Sequence, residues 1–261
     1  MLKLTTVAFV AVLSLSPPQS QSGEIEALKR EVAALKTQQT AMMRELQAIK
    51  NLLQNLAQPR QQAQGPEVPG LVGQTIALAG EPTMGNQSAK VTIVEVSDYH
   101  CPFCRRSAQQ TFPQIVTDYV KTGKAQYAFV DYPIAQLHPD AFRSHEAAAC
   151  AADQGKFWEM HLNLWTGTPV RDVEGLTAKA TAVGLDVGAF KTCLASGKHS
   201  AAVKDSVSRM ERLGIGGTPM TLVGITPEPG QPMKIVQYIY GAKPYEEFKS
   251  IIDGVLAETT K

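Results

Sequence analysis

Two cysteines separated by two residues form the part of the chain most suited to chemistry. Cys101 and Cys104 follow an apolar, β-branched run at residues 91–96, and a segment with helical spacing, residues 105–120, comes after them. A strand that leads into Cys-x-x-Cys at the start of a helix is the arrangement of a thiol–disulfide redox centre. Because a helix N-terminus stabilises a thiolate, we expect Cys101 to be the nucleophile and Cys104 the partner that closes a small disulfide ring.

The alternative chemistry for these two residues is metal binding. Half of a zinc site would need two further ligands, but the sequence has no second Cys-x-x-Cys pair, and Pro102 suits a first helical turn better than a metal knuckle. A non-enzymatic protein that binds Cu(I) through Cys101 and Cys104, or acts as a scaffold, is the competing function. We expect redox chemistry with no cofactor and no metal.

The other two of the four cysteines, Cys150 and Cys193, each lie in a helix-like stretch. They are either free, buried and inert thiols or a structural disulfide that joins two helices. The compartment decides between these interpretations, because disulfides persist where the environment is oxidising.

The N-terminus predicts export. Lys3 precedes a short apolar stretch, and small residues near Ser22 offer a cleavage site, so residues 1–22 are expected to be a signal peptide. The stretch is shorter than the ~20 residues that span a bilayer. An uncleaved membrane anchor is the alternative. We expect a soluble mature protein in the periplasm or elsewhere outside the cytoplasm, where the second disulfide is favoured.

Residues 23–57 carry a heptad pattern typical of a coiled coil. The a and d positions are Ile25, Leu28, Val32, Leu35, Gln39, Met42, Leu46, Ile49, Leu53 and Leu56. Only Gln39 among them is polar, and opposite charges occupy facing g and e′ positions, as in Glu24 with Lys29. We expect parallel homo-oligomerisation through residues 24–56, without a choice between dimer and trimer. The alternative is a helix packed against the globular domain.

A polar linker, residues 58–75, is expected before a globular domain at residues 76–261. Within that domain we predict strands at residues 91–96, 125–132, 220–223 and 235–240. A helical insertion at about 138–212 separates the second strand from the third, and a helix at residues 245–256 ends the domain. The fold class is therefore α/β. The formal net charge of +1 gives no nucleic-acid-binding footprint.

Several of these elements, in this order, resemble the DsbA-like branch of the thioredoxin superfamily. They are the strand that carries Glu95, the motif at residues 101–104, the helical insertion, and Gly-Gly-Thr-Pro at residues 216–219. The resemblance implies a thioredoxin-like fold with an inserted helical subdomain. It also implies an exported thiol–disulfide oxidoreductase that forms, reduces or isomerises disulfides in other secreted or periplasmic proteins. A redox partner, not identified by the sequence, would reset the site.

The resemblance also implies roles for three further residues. Pro219 matches the family's cis-proline beside the redox cysteines, and Thr218 would line the substrate groove and tune the thiolate. Glu95 matches a buried acid, and its proposed task is proton exchange with Cys104, because a carboxylate in a core strand is costly without a task. Without the family, Pro219 is an ordinary loop proline, and Glu95 could reach the surface at a strand end.

The chain departs from the family at Phe103, where strong oxidases carry a histidine that stabilises the thiolate. His100 is expected to compensate only in part, or to be an exposed loop residue. The remaining histidines are expected at the surface or at helix caps: His138, His145, His161 and His199. Phe103 and the coiled coil favour an oligomeric isomerase or reductase over a simple oxidase, but the direction of the reaction is left open.

Overall fold

The computed structural model describes residues 19–57, 67–228 and 230–259 of the 261-residue chain. Most of the expected signal peptide and the first part of the expected linker therefore lie outside the described residues. The chain divides into two compact units, Met1–Gln61 and Gln62–Lys261.

The first unit contains one long helix, α1, which spans Gln19–Ala57. Its 39 residues correspond to roughly 58 Å at 1.5 Å per residue. Large apolar side chains of the heptad pattern are exposed along it: Ile25, Leu28, Val32, Leu35, Met42, Leu46 and Ile49. The predicted helix is present, and its assembly with further copies stays a prediction. Of the helices in the described part of the chain, none combines the length and apolar character needed to cross a membrane.

The described part of the second unit is built on a six-stranded sheet. In chain order the strands are β1 (Thr75–Ile76), β2 (Thr83–Gly85), β3 (Val91–Ser97), β4 (Ala125–Asp131), β5 (Met220–Ile225) and β6 (Met233–Tyr240). Their order across the sheet is β1-β6-β5-β3-β4-β2. β3 and β4 run parallel, and the other neighbouring pairs run antiparallel. All residues of β3 are buried, which makes it the central strand of the core.

Helices cover the sheet. In chain order they are α2 (Pro102–Gln110), α3 (Phe112–Ile115), α4 (Ala141–Ala152), α5 (Phe157–Leu164), α6 (Val173–Ala182), α7 (Val187–Ser196), α8 (Ser200–Arg212) and α9 (Tyr245–Glu258). A turn of π-helix, Val116–Val120, continues α3. The helices α4 to α8 form the insertion between β4 and β5, in agreement with the prediction.

A proline divides the helix predicted at residues 105–120. The helical segment begins at Pro102, is interrupted at Thr111, and resumes as α3. Pro113 has no N–H to donate to a carbonyl one turn earlier, so an unbroken helix cannot pass through it.

The start of the globular unit differs from the prediction. The expected linker, residues 58–75, ends early, because Val68 and Leu71 are buried in the core together with Ile76. Isolated apolar residues among prolines and glycines give no periodic signal. The edge strands β1 and β2 were not predicted, since two and three residues are too few to display alternation.

The two faces of the sheet have separate cores. Val96, Val130 and Leu222 lie on one face, where Met210 and Ile215 cover them. The opposite face packs against α3 and α9. A third cluster joins α4–α7 to the N-terminal turn of α2. The redox motif is therefore supported by the sheet on one side and by the insertion on the other.

A disulfide bond joins Cys150 on α4 to Cys193 on α7, across 43 residues of sequence. It confirms the interpretation of these cysteines as a structural pair and rules out two free thiols. Their Cα atoms lie 5.9 Å apart. Restricting a loop of this length in the unfolded chain stabilises the fold by about 4 kcal/mol.

Candidate active site

Cys101 and Cys104 lie at the N-terminus of α2, just after the central strand β3. Cys101 immediately precedes the helix and has an extended backbone, and Pro102 occupies the first helical position. Both cysteines are free thiols. Cys104 is fully buried, whereas Cys101 retains 5% exposure. An incoming sulfur atom therefore meets Cys101 first.

The two thiols differ strongly in acidity. The pKa of Cys101 is lowered to about 6, first because the Cys104 thiol donates a hydrogen bond to it. Backbone N–H groups of the helix N-terminus and the Thr218 side chain add to this effect, while burial opposes it. Burial raises the pKa of Cys104 well above its ordinary value, and the hydrogen bond to the charged Cys101 raises it further. At neutral pH the reduced site holds a thiolate on Cys101 and a thiol on Cys104.

Thr218 and Pro219 lie against the nucleophile and are joined by a cis peptide bond, as the resemblance implies. The backbone carbonyl of Thr218 lies 3.7 Å from the Cys101 sulfur and accepts a hydrogen bond from it when Cys101 is protonated. The buried Thr218 hydroxyl makes no hydrogen bond of ordinary geometry within the described residues. It nevertheless lies close enough to Cys101 and Cys104 to favour the thiolate form of each.

Glu95 is buried in the middle of β3, which excludes the alternative position at the surface. Tyr127 on β4 donates a hydrogen bond to its Oε2 atom at 2.6 Å, while Oε1 has no hydrogen-bond partner in the described part of the structure. Burial raises the pKa of Glu95, and the Tyr127 hydroxyl and the nearby Ser97 hydroxyl oppose this only in part. Such a carboxyl group can keep a proton in conditions where an exposed one would lose it.

Ser97 adds a group to the site that the sequence analysis did not select. It lies two residues after Glu95, so the two side chains share one face of β3. The Ser97 hydroxyl is buried, makes no hydrogen bond of ordinary geometry within the described residues, and lowers the pKa of both Glu95 and Cys104. A hydroxyl can donate and accept at once, so Ser97 is placed to link the acid to the thiol. The period-two spacing from Glu95 is the signal that could have found it.

Neither Phe103 nor His100 takes the place of the histidine that strong oxidases are expected to carry at position 103. Phe103 is 54% exposed, and the Arg106 guanidinium lies 5.2 Å from the centre of its ring, within cation–π range. His100 is neither an exposed loop residue nor a donor to the thiolate. Its Nε2 atom contacts the Ser144 hydroxyl at 3.0 Å, and the largest effects on the pKa of Cys101 come from other groups.

His145 and His161 are fully buried, so their expected surface positions are wrong. Trp165 Nε1 can only donate, so its 3.3 Å contact makes His161 Nε2 an acceptor and leaves Nδ1 to donate to the Tyr99 hydroxyl. The backbone N–H of Tyr99 donates to His145 Nε2, and His145 Nδ1 donates to Asp131. The Trp165 contact thus leaves the His161 ring neutral, and burial lowers its pKa to about 3.

Asp98, a further residue that the sequence analysis did not select, fixes the turn before the nucleophile. Its buried carboxylate accepts hydrogen bonds from the backbone N–H groups of His100 and Ile134 and from the His138 ring, each at 2.8 Å. Its backbone carbonyl accepts from the Cys101 N–H at 3.0 Å. These contacts tie the position of Cys101 to the segment after β4.

The described residues do not complete a metal site at Cys101 and Cys104. Within the described residues, no group of three metal-ligating side chains includes Cys101 or Cys104. Two sulfur atoms do not complete a four-coordinate zinc site. The geometry instead suits exchange between sulfur atoms, with one acidic and accessible thiol and one buried thiol beside a protonatable acid.

A family model described as thioredoxin matches residues 78–253. The chain belongs to this family. The matched range contains the central strands, the redox motif and the helical insertion, so the fold class predicted from the sequence is confirmed.

Solved structures of DsbA-like proteins share this thioredoxin-family fold. Alpha-DsbA1 from Wolbachia pipientis has a TM-score of 0.62 at 19% identity, over 70% of this chain and 94% of that one. Oxidised BdbD from Bacillus subtilis has a TM-score of 0.61 at 22% identity, over 71% of this chain and 98% of that one. At these identities the likeness concerns the fold.

Curated relatives match shorter parts of the chain. The Na(+)/H(+) antiporter NhaA 3 of Salinispora tropica is 31% identical over 139 residues, which are 53% of this chain and 21% of the antiporter. The chain thus spans about a fifth of the length of this relative. The probable disulfide bond formation protein D of Bacillus anthracis is 25% identical over 154 residues, which are 56% of this chain and 71% of that protein.

Proposed function

We propose that the protein is an exported thiol–disulfide oxidoreductase that forms, reduces or isomerises disulfide bonds in other secreted or periplasmic proteins. One observation carries the proposal: the pKa of Cys101 is lowered to about 6, while that of Cys104 is raised well above its ordinary value. The DsbA-like fold and a relative named for disulfide bond formation support it.

In the oxidising direction, the reaction begins from a disulfide between Cys101 and Cys104. A substrate thiolate attacks the Cys101 sulfur, the bond between the cysteines breaks, and its electron pair goes to Cys104. A second substrate thiolate then attacks the substrate sulfur of the mixed disulfide. Cys101 leaves as a thiolate, and because its pKa is low it is a good leaving group. The substrate gains a disulfide, and two electrons remain on the protein.

Glu95 is the proposed proton donor to Cys104. The high pKa of Cys104 means that its thiolate takes up a proton soon after release. Burial raises the pKa of Glu95 and so favours its protonated form, and the Ser97 hydroxyl on the same strand face lowers the pKa of both Glu95 and Cys104. Transfer from Glu95 through the Ser97 hydroxyl would supply the proton without opening the core to solvent. The reverse transfer would activate Cys104 when the active-site disulfide forms again.

In the reducing or isomerising direction, the Cys101 thiolate attacks a disulfide of the substrate. The mixed disulfide is released either by a substrate thiol, which completes isomerisation, or by Cys104, which completes reduction. Thr218 and Pro219 are proposed to line the groove where the substrate strand docks. The contact between the Thr218 carbonyl and the Cys101 sulfur, at 3.7 Å, supports that role.

Self-association through residues 24–56 is part of the proposal. The a and d side chains of α1 are exposed in a single chain, with Leu35 at 61% and Leu28 at 62%. A second or third copy of the same helix would bury them. Several redox domains would then be held at high effective concentration, which suits the reshuffling of wrong disulfides. We also propose a location outside the cytoplasm, which the expected signal peptide and the Cys150–Cys193 bond support.

Turnover of a model protein disulfide tests the proposal. With insulin and a dithiol as substrates, Cys101→Ser should abolish reduction. Cys104→Ser should accumulate mixed disulfides, because the escape route is missing. Full activity of Cys101→Ser would overturn the assignment, and retention of stoichiometric copper without any exchange activity would favour the metal-binding alternative.

A further inference from the structure

A second group of reactive side chains surrounds the disulfide of the helical insertion, apart from the redox motif. The ligand atoms of Cys150, Cys193 and His199 all lie within 4.8 Å of one another. Asp153 joins them, since its Oδ2 atom is 2.8 Å from His199 Nε2 and 3.4 Å from Cys193 Sγ. Two sulfurs, one imidazole and one carboxylate are all ligand types that zinc accepts. They converge from α4, α7 and the start of α8.

Two of the distances among these four side chains can be compared with those of a tetrahedral zinc site. With zinc–ligand bonds of about 2.0–2.3 Å, neighbouring ligand atoms are separated by about 3.3–3.8 Å. The contact of Asp153 with Cys193 already has this length, and that with His199 is 0.5 Å shorter than this range, at 2.8 Å. The sulfurs of Cys150 and Cys193 are bonded to each other, so they cannot bind a metal ion as thiolates. Cleavage of the disulfide removes that obstacle.

We propose that reduction of the Cys150–Cys193 disulfide creates a Zn²⁺ site formed by these two cysteines, His199 and Asp153. A dithiol reductant supplies two electrons and two protons to the disulfide and itself becomes a disulfide. Zn²⁺ then replaces the proton on each of the two thiols, so two protons are released to solvent. The disulfide and the metal are thus alternative crosslinks between the same helices.

Charge and access are compatible with this site. Two thiolates and one carboxylate leave a net charge of −1 around Zn²⁺, and the Lys198 ammonium lies 3.0 Å from Asp153. Lys198 also competes with the metal for the same carboxylate oxygen. The side chains of His199 and Asp153 are 20% and 31% exposed, which gives a metal ion a route to the otherwise buried Cys150.

Cobalt binding by the full chain tests the proposal, in a Cys101→Ser/Cys104→Ser background that removes the other thiols. A water-soluble phosphine reduces the disulfide and is itself oxidised to the phosphine oxide with oxygen from water. The reduced protein should bind one Co²⁺ per chain, with thiolate charge-transfer and tetrahedral absorption bands, and Zn²⁺ should displace it. The oxidised protein should bind none, because its sulfurs are committed to each other.

Variants of neighbouring residues separate a built site from chance coordination. His199→Ala and Asp153→Asn should weaken binding by at least about tenfold. Lys198→Ala is the matched control at the same helix end, and it should bind at least as tightly as the parent because a competing cation is removed. The absence of metal binding by the reduced protein, or unchanged affinity in His199→Ala, would overturn the proposal.

Near-ultraviolet circular dichroism covers the case in which reduction unfolds the insertion. Recovery of the native spectrum on addition of Zn²⁺, lost again in His199→Ala, would support the site, because metal binding and folding would be coupled. An unfolded reduced protein that neither binds Zn²⁺ nor recovers its spectrum would exclude it.

Discussion

The hydroxyl of Tyr127 donates a 2.6 Å hydrogen bond to Glu95 Oε2, and both residues are buried on adjacent parallel strands. This bond stabilises the carboxylate form and so opposes burial, which favours the neutral form. The two effects make Glu95 a group whose ionisation is coupled both to stability and to the proposed proton transfer.

Replacement of Glu95 by Gln should slow the step in which the Cys101–Cys104 disulfide breaks and Cys104 leaves. The expected decrease in rate is about a hundredfold, because the proton donor is lost. The same variant should become more stable than the parent as the pH rises. The pKa of Glu95 in the folded state is raised above 4.5, so its contribution to stability is complete below that value and is lost as the pH rises through the folded-state pKa. Single-turnover kinetics and urea unfolding across a pH series measure the two effects.

Tyr127→Phe is the matched control for this pair. It removes the hydrogen-bond donor but keeps the acid, so the pKa of Glu95 should rise further. The loss of stability with rising pH should therefore extend to higher pH in Tyr127→Phe than in the parent. Identical pH dependence of unfolding in the parent and in Glu95→Gln would contradict the burial argument.

Thr218→Val should raise the pKa of Cys101 above its value of about 6, because the hydroxyl that favours the thiolate is removed. A less stable thiolate makes the disulfide a weaker oxidant, so the reduction potential should become more negative. Phe103→His should act in the opposite direction by adding a donor beside the sulfur. Thiolate absorbance against pH measures the first quantity, and equilibration with glutathione measures the second. Shifts of the same sign in both variants would refute this account.

Joint replacement of Cys150 and Cys193 by Ala should lower the free energy of unfolding by about 4 kcal/mol, since the unfolded chain loses its crosslink. The rate at which Cys101 is alkylated should not change, because the largest effects on its pKa come from burial and from Cys104, Thr218 and the Phe103 backbone. Urea unfolding and alkylation kinetics provide the two measurements. A large change in alkylation rate would mean that the insertion controls the nucleophile.

Elements with a strong periodic pattern could be predicted from the sequence. The central strand around Glu95, the Cys101–Cys104 motif at a helix start and the helical insertion all agree with the structure. The cis peptide before Pro219 was implied by the resemblance alone, since a single proline in a loop carries no signal for its isomer.

Side-chain partners across the fold could not be predicted in the same way. His145 and His161 are buried on helices that carry both polar and apolar residues, and both contact Tyr99, which lies 46 and 62 residues away from them in the sequence. Ser97 likewise acquires its role only because the helix after β3 brings Cys104 back over the strand. Periodicity identifies which face is buried, but not which polar group on it finds a partner.

His161→Gln should make the protein less sensitive to acid. The pKa of His161 falls from 6.5 to about 3 on folding, so the unfolded state binds the proton more readily and stability is lost as the pH falls between these values. The loss is on the order of 5 kcal/mol at most. Glutamine can accept from Trp165 and donate to Tyr99 without taking a proton. Urea unfolding between these two pH values should show a shallower decline in the variant, and an unchanged slope would assign the acid sensitivity to other groups.

Leu35→Glu should dissociate the proposed oligomer, whereas Ala34→Glu should not. Leu35 occupies a d position of the heptad pattern and is 61% exposed in the single chain, so a charge there would be buried in every copy of the assembly. Ala34 occupies the adjacent c position, which faces solvent in a coiled coil. Sedimentation equilibrium at micromolar concentration should give an oligomer for the parent and for Ala34→Glu, and a monomer for Leu35→Glu.

The Leu35→Glu monomer should keep dithiol reductase activity, since the redox motif is intact, and should lose the ability to refold a protein with scrambled disulfides. A monomeric parent would remove the main support for isomerisation and leave oxidation as the better proposal.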